Sequence, residues 1–422
     1  MSNGIESQAE SPMHRTETTQ SIVVVGCGFA GLWSALGAAR LLDKVGADAR
    51  SIEVALIAPE PVLHLRTRLH EAAPLSMRAP LLPLFEAVGV RYIQGRVERI
   101  RAGAHAVDAV DARGRQFELG YDKLVLASGS RLHRPDLPGL HDHAYSIDQT
   151  DEAAALDLHF ARLADQPATV ARNTVVVVGG GFTGIEVASE LVGRLRALWG
   201  GAAPIRIELI EQAAELGPDI GPAMRPTIEN ALRELGVAWR LNTTVSAVDP
   251  HGLTTSDGRR IEADTVIWTA GLRADALAAQ IEGPRDRLGR LHVTDDLQVA
   301  QCPDVFAAGD VALALTDGDG HHTLMSCQHA RMMGRFAGHN VAATLVGVPA
   351  LPYRQPNYVT CLDLGAWGAI HSEGWGREVK FVGAKAKAVK RFINTDLIYP
   401  PAPDRAAALA AADPMRPPGA RN

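Results

Sequence analysis

Runs of branched apolar residues that stop abruptly at glycine, each followed by an apolar pattern at helical spacing, divide this chain into repeated units. "SIVVVGCGFAGLWSALGAARLL", from Ser21, reads as a buried strand, a glycine turn and a helix, and "SIEVALIAPE" supplies the next strand of a βαβ unit. Short alternating segments broken by Gly and Asp follow from Gly95 to Ser130. They predict a small β-meander that ends in a buried strand, "KLVLASG". The same order then recurs: "VVVVGGGFTGIEVASEL" from Val175, the strand "PIRIELIE", and stranded segments closing on "VIWTAG". After Arg273 come the buried strand "VFAAGD" and a helical pattern through "QHARMMGRFAGHNVAATLVG".

In a GxGxxG turn the first glycine permits the bend, the second lets backbone approach a diphosphate, and the third lets the helix pack on the strand; the helix N-terminus then faces the phosphates. Gly26, Gly28 and Gly31 fill the first set, and Gly179, Gly181 and Gly184 the second. One match alone is explained as well by a tight structural turn. Two at equivalent places in duplicated halves predict two dinucleotide sites. Glu211 ends the strand after the second turn, where it would accept from a ribose 2′-OH and repel a 2′-phosphate, favouring NADH over NADPH; a solvated loop carboxylate is the alternative. The strand after the first turn ends in Ala58, with Glu60 two residues late, so that ribose contact stays open.

Ordered strand turns, "LVLASGS", the second turn, "VIWTAG" and "VFAAGD" together resemble the two-dinucleotide-binding, pyridine nucleotide-disulfide reductase-like flavoproteins over residues 21–340. Within them the chain is most similar to type II NADH:quinone oxidoreductases and apoptosis-inducing-factor-like proteins. The resemblance implies an α/β fold of two Rossmann-type (three-layer ββα) domains plus a smaller C-terminal α+β domain. It implies FAD on the first turn (Gly26, Gly28, Phe29, Ala30, Gly31, with Ala127, Ser128, Gly129, Gly309 and Asp310). NADH falls on the second (Gly179, Gly181, Phe182, Thr183, Gly184, Glu211, Gly271). Asp310 would hydrogen-bond the flavin's ribityl or phosphate portion, against the alternative of a helix N-cap. Glu186 would lie near nicotinamide and flavin, against that of a solvated first-turn residue. "CQHA" at Cys327 resembles an AQxA motif on the quinone side of the flavin, making Gln328 the acceptor-side residue; Cys327 replaces its first alanine.

The implied division is a disordered leader over 1–20, an FAD domain over 21–148 and 273–340, an NADH domain over 149–272, a C-terminal domain over 341–400 and a flexible tail over 401–422. The expected reaction passes electrons from NADH through FAD to a quinone-like acceptor, with a soluble NADH:electron-carrier reductase or a slow redox sensor as alternatives.

Composition narrows this further. An apolar share of 46% with 21% charged residues describes a globular protein, and a net charge of −6 gives no field favouring nucleic acid. Cys27, Cys302, Cys327 and Cys361 show neither a redox CxxC nor a metal-ligand spacing, so no metal is expected and electrons need no thiol relay. A membrane span is the other reading of Ile22 to Ala39, and its GxGxxG spacing argues against it. The first twenty residues carry no apolar signal region, which points to a cytoplasmic protein. Lys380, Lys385, Lys387, Lys390 and Arg391 beside a modest apolar group suggest either weak peripheral contact at the inner face of a membrane or a solvated helix on the third domain. Oligomeric state stays open, a homodimer included.

Overall fold

The computed structural model describes residues 20–46, 51–417 and 419. All but Gln20 of the expected leader lies outside them. The first sheet has six strands, in the order 298–299, 302–307, 123–126, 20–25, 52–58, 91–94, parallel except for the short edge pair 298–299. Its central strand, Gln20–Val25, is buried along Ser21 to Val25, which is why "SIVVV" shows no alternation: helices and neighbouring structure cover both faces. Helix Phe29–Val45 leaves the first glycine turn and lies against this sheet.

The second sheet repeats the plan in the order 144–145, 265–268, 174–178, 206–210, 237–240, all parallel, with helix Phe182–Trp199 leaving its glycine turn. Each unit carries a three-stranded antiparallel meander, 96–120 in the first and 245–262 in the second. Strand Cys302–Ala307 returns to the first sheet and pairs with Lys123–Leu126, so the second unit interrupts the first.

Helix Cys327–Val346 packs on helix Phe29–Val45 closely enough that glycine is required. A Cβ on Gly338 would stand 2.0 Å from the Ser34 carbonyl oxygen, and one on Gly334 2.5 Å from that of Ala30. A C-terminal antiparallel sheet, 359–363, 369–373 and 378–383, is followed by helix Ala384–Phe392.

Within the tail beyond 400, expected to be flexible, the described residues include a helix. Helix Arg405–Ala411 buries Ala408, Leu409 and Ala411, and its surroundings are tied to the first unit by Arg405 to Asp43 at 2.7 Å and by Arg40 to Asp413. Alanine combines high helix propensity with a flat packing face, so the composition that suggested a linker makes a short docked helix. Among the described residues no helix is long and apolar enough to cross a membrane.

Candidate functional site

The two glycine turns separate what the fold needs from what it does not. Gly26 sits at φ +110°, where an added Cβ would lie 2.4 Å from the Ala127 oxygen, and one on Gly31 would lie 1.9 Å from the Gly26 oxygen. Those two glycines are explained by the turn itself. Gly28 has φ −74° and ψ −170°, open to any residue, and nothing within 4 Å of an added Cβ. The second turn matches: Gly179 at φ +111° and Gly184, on which a Cβ would lie 1.8 Å from the Gly179 oxygen, are forced, whereas Gly181 at φ −77° faces open space. Neither following helix has a side-chain cap or an acid in its first turn, so free backbone N–H groups and the positive end of the helix dipole face the same opening. A side chain at Gly28 or Gly181 would fill the cradle that a diphosphate needs.

At the first turn the other donors and acceptors fit a dinucleotide. The Ser128 hydroxyl is buried without a partner. Ser130 donates to Asp310 at 2.6 Å, and Arg66 reaches Ser130 and binds Asp148. Asp310 does not cap a helix: the cap of Cys327–Val346 is Ser326, whose hydroxyl accepts from the His329 amide. Burial pushes the Asp310 carboxyl above its ordinary value, against the lowering pull of Ser130, Arg66 and Arg290. Gly309, at φ +77°, lies against Ala30 and Ala330, which sets the start of helix Cys327–Val346, with half-buried Gln328, beside the first turn. Phe29 is half-buried, and Ala30 and Ala127 are buried.

At the second turn Glu211, the first residue after strand Arg206–Ile210, is not solvated. It is buried, with one oxygen accepting from the Gly180 amide at 2.7 Å and the other from Ala213 at 2.8 Å. Its carboxyl group therefore stands inside the turn. Thr183 is exposed, and Gly271, at φ +84°, follows the strand Thr265–Trp268.

Glu186 is not solvated. Lys390, from the C-terminal helix, donates to its carboxylate at 2.8 Å, the Asp363 amide donates at 3.0 Å, and His70 Nδ1 stands 3.9 Å away. Burial alone would raise the Glu186 carboxyl, but Lys390 and His70 hold it below its ordinary value. Lys390 is raised by the same pairing, and burial lowers His70. Lys387 turns inward to Asp363 as well. Two of the five residues expected at a membrane are thus spent inside the protein. Sequence reasoning missed His70 and Asp363 and gave Lys390 another role; Lys390 lies 204 residues from Glu186, so the pairing has no local signal.

All four cysteines are free. Burial pushes the Cys27 thiol up to about 12 and that of Cys361 to about 11, and raises Cys327 and Cys302, so none is a ready nucleophile.

Comparison with known proteins agrees with this geometry. Residues 20–334 match the family described as pyridine nucleotide-disulphide oxidoreductase. An NADH dehydrogenase-like protein of Mycobacterium tuberculosis is 47% identical over 93% of this chain and 98% of its own. A type II NADH:quinone oxidoreductase of Staphylococcus saprophyticus is 27% identical over 90% and 95%. The structure of NDH2 from Plasmodium falciparum in complex with NADH shares the fold at TM-score 0.73, with 14% identity over 93% of this chain and 97% of that one. With two glycine cradles on duplicated sheets and a match across three quarters of its length, this chain belongs to the pyridine nucleotide-disulphide oxidoreductase family.

Proposed function

We propose that the protein is an FAD-dependent NADH dehydrogenase that delivers electrons to a quinone without a redox disulfide. The observation that carries the reading is the pair of open middle glycines, Gly28 and Gly181, each at an uncapped helix N-terminus. FAD, when bound, supplies the chemistry of taking hydride from NADH and releasing an electron pair to the acceptor.

The chain's part is to bind, orient and keep water out. The first turn with Ala127, Ser128, Gly129, Gly309 and Asp310 holds FAD; the second, with Phe182, Thr183, Glu211 and Gly271, holds NADH. Residues 21–148 with 273–340 then form the FAD domain and 149–272 the NADH domain. Glu186, fixed by Lys390 and the Asp363 amide, keeps a negative charge in one orientation beside the second turn. Gln328 opens the helix that faces the acceptor side. Type II NADH:quinone oxidoreductases and a demethylphylloquinone reductase among the relatives support a quinone as acceptor. The high thiol values support direct transfer from flavin to acceptor.

Membrane contact rests on Lys380, Lys385 and Arg391, all exposed. A homodimer completes the proposal, and sedimentation velocity at micromolar concentration decides it. Steady-state NADH oxidation by the purified yellow protein tests the main reading. Turnover with a water-soluble quinone should exceed turnover with oxygen or ferredoxin; a rate below about 1 per second, the low end for enzymes, would favour a redox sensor instead.

A further inference from the structure

The C-terminal sheet reaches the second glycine turn at one point. In the connection after strand Ala369–Glu373, Trp375 stacks on Tyr358 at 5.1 Å and on His321 at 4.6 Å, and Tyr358 stacks on His329 at 5.1 Å. This column of rings fixes the connection against the start of helix Cys327–Val346. Two residues after Trp375, Arg377 turns its guanidinium over the ring of Phe182, 4.9 Å from Cζ to the centroid. Phe182 is the first residue of the helix that follows Gly181.

Arg377 is 7% exposed, and its Nη1 is buried with no hydrogen-bond partner. Asp219 pulls on it from beyond ion-pair distance, and the aromatic faces of Phe182 and Tyr358 offer no acceptor for its forked N–H groups. A desolvated guanidinium without an acceptor is costly, and a planar fork of this kind matches a phosphate. The backbone adds to the oddity: Arg377 has φ +52°, where glycine would sit more easily, so the position keeps its side chain at the expense of its backbone. Two independent features therefore lie side by side, the uncapped helix end at open Gly181 and a buried guanidinium, its Nη1 without a partner, stacked on that helix's first residue.

We propose that Arg377 binds the diphosphate of the incoming dinucleotide, so that the C-terminal sheet forms the third wall of the NADH site. This rests on the reading of the second glycine turn as that site. The hairpin that carries Arg377 also carries, through strand Val359–Asp363, the amide that fixes Glu186. Binding of the diphosphate and alignment of Glu186 thus depend on one small sheet.

The test uses the FAD-loaded full chain and ADP-ribose, which has the diphosphate but cannot be oxidised, with Kd read by titration calorimetry. Arg377→Met should raise Kd on the order of tenfold to a hundredfold, the range for one charge-assisted contact. Arg377→Lys, which keeps the charge, should recover most of the affinity. Gly181→Val, which fills the cradle, serves as the control. If Arg377→Met binds like wild type while Gly181→Val does not, the role of Arg377 is wrong and the site stands. If both bind like wild type, the assignment of the second turn falls too. Equal losses in the Lys and Met variants would make the role one of packing and overturn the contact. Should Arg377→Met fail to hold flavin, Arg377→Gln carries the same criteria.

Discussion

Replacing Lys390 by methionine would leave Glu186 buried with its main countercharge gone. The two side chains are 10% and 13% exposed, so solvent screening softens the loss little. Removing one partner of a buried pair costs about 3–5 kcal/mol, and because the Asp363 amide still donates to Glu186, the lower end, about 3 kcal/mol, is expected near pH 8. The dependence on pH has a definite sign. In the wild type the carboxyl is held below its ordinary 4.5, so its contribution is present above that value and disappears as pH falls through the depressed one. Without Lys390, burial takes over and raises the carboxyl. The variant then keeps near-normal stability at low pH and loses it as pH rises through the raised value. Urea unfolding of Lys390→Met and wild type at pH 5 and pH 8 reads both effects. A deficit equal at the two pH values, or smaller than about 1 kcal/mol at pH 8, refutes the pairing as described. Adding Glu186→Gln to Lys390→Met should restore part of the stability, since no charge is then left unpaired.

Asp310→Ala should purify largely colourless, measured as flavin absorbance per chain; full flavin content would remove Asp310 from the FAD site. Glu211→Ala should narrow the preference for NADH over NADPH in kcat/KM and, by freeing the Gly180 and Ala213 amides, destabilise the protein by about 2 kcal/mol; equal kcat/KM for both nucleotides in the wild type would contradict the role. A variant with all four cysteines changed to Ser or Ala should keep its turnover with a soluble quinone, and selective loss of the flavin-to-acceptor step would reveal a thiol relay. With Lys387 and Lys390 turned inward, three basic residues at roughly 1 kcal/mol each give weak, salt-sensitive attraction to anionic vesicles. Flotation at low and high salt checks this, and no lipid-bound protein at low salt would favour a soluble acceptor.

The parts of the site that were legible in the sequence are those whose cause is local. A glycine turn is a backbone requirement spanning six residues, so both turns announced themselves, and so did the buried strands without alternation. Asp310 was legible because its flanking strand and glycine form one short motif. Glu186 was placed correctly on its helix, but its surroundings were not legible: Lys390 belongs to a helix whose basic face reads as a solvated or membrane-facing surface until the third sheet positions it. Glu211 was found at the end of its strand, while the turning of its carboxylate into the glycine loop follows from tertiary packing. Arg377 carried no signal, because an arginine after a glycine in a hairpin is ordinary until a helix end is seen beside it. The docked helix Arg405–Ala411 was not legible because Ala, Pro and Arg are shared by linkers and by short helices.

The interruption of the first sheet has a consequence for biosynthesis. A ribosome releases the strand Lys123–Leu126 long before its parallel partner Cys302–Ala307 exists, and helix Phe29–Val45 waits longer still for the glycine face of Cys327–Val346. During that interval the nascent chain bears a bare apolar sheet edge and an uncovered helix, both prone to wrong partners. The interrupting unit has its whole sheet, 144–268, in hand much earlier and can fold while the older half is still incomplete. The sheet of the interrupting unit is thus complete in the nascent chain before the seam joining the two outer pieces can close, which makes that seam a natural place for chaperone dependence.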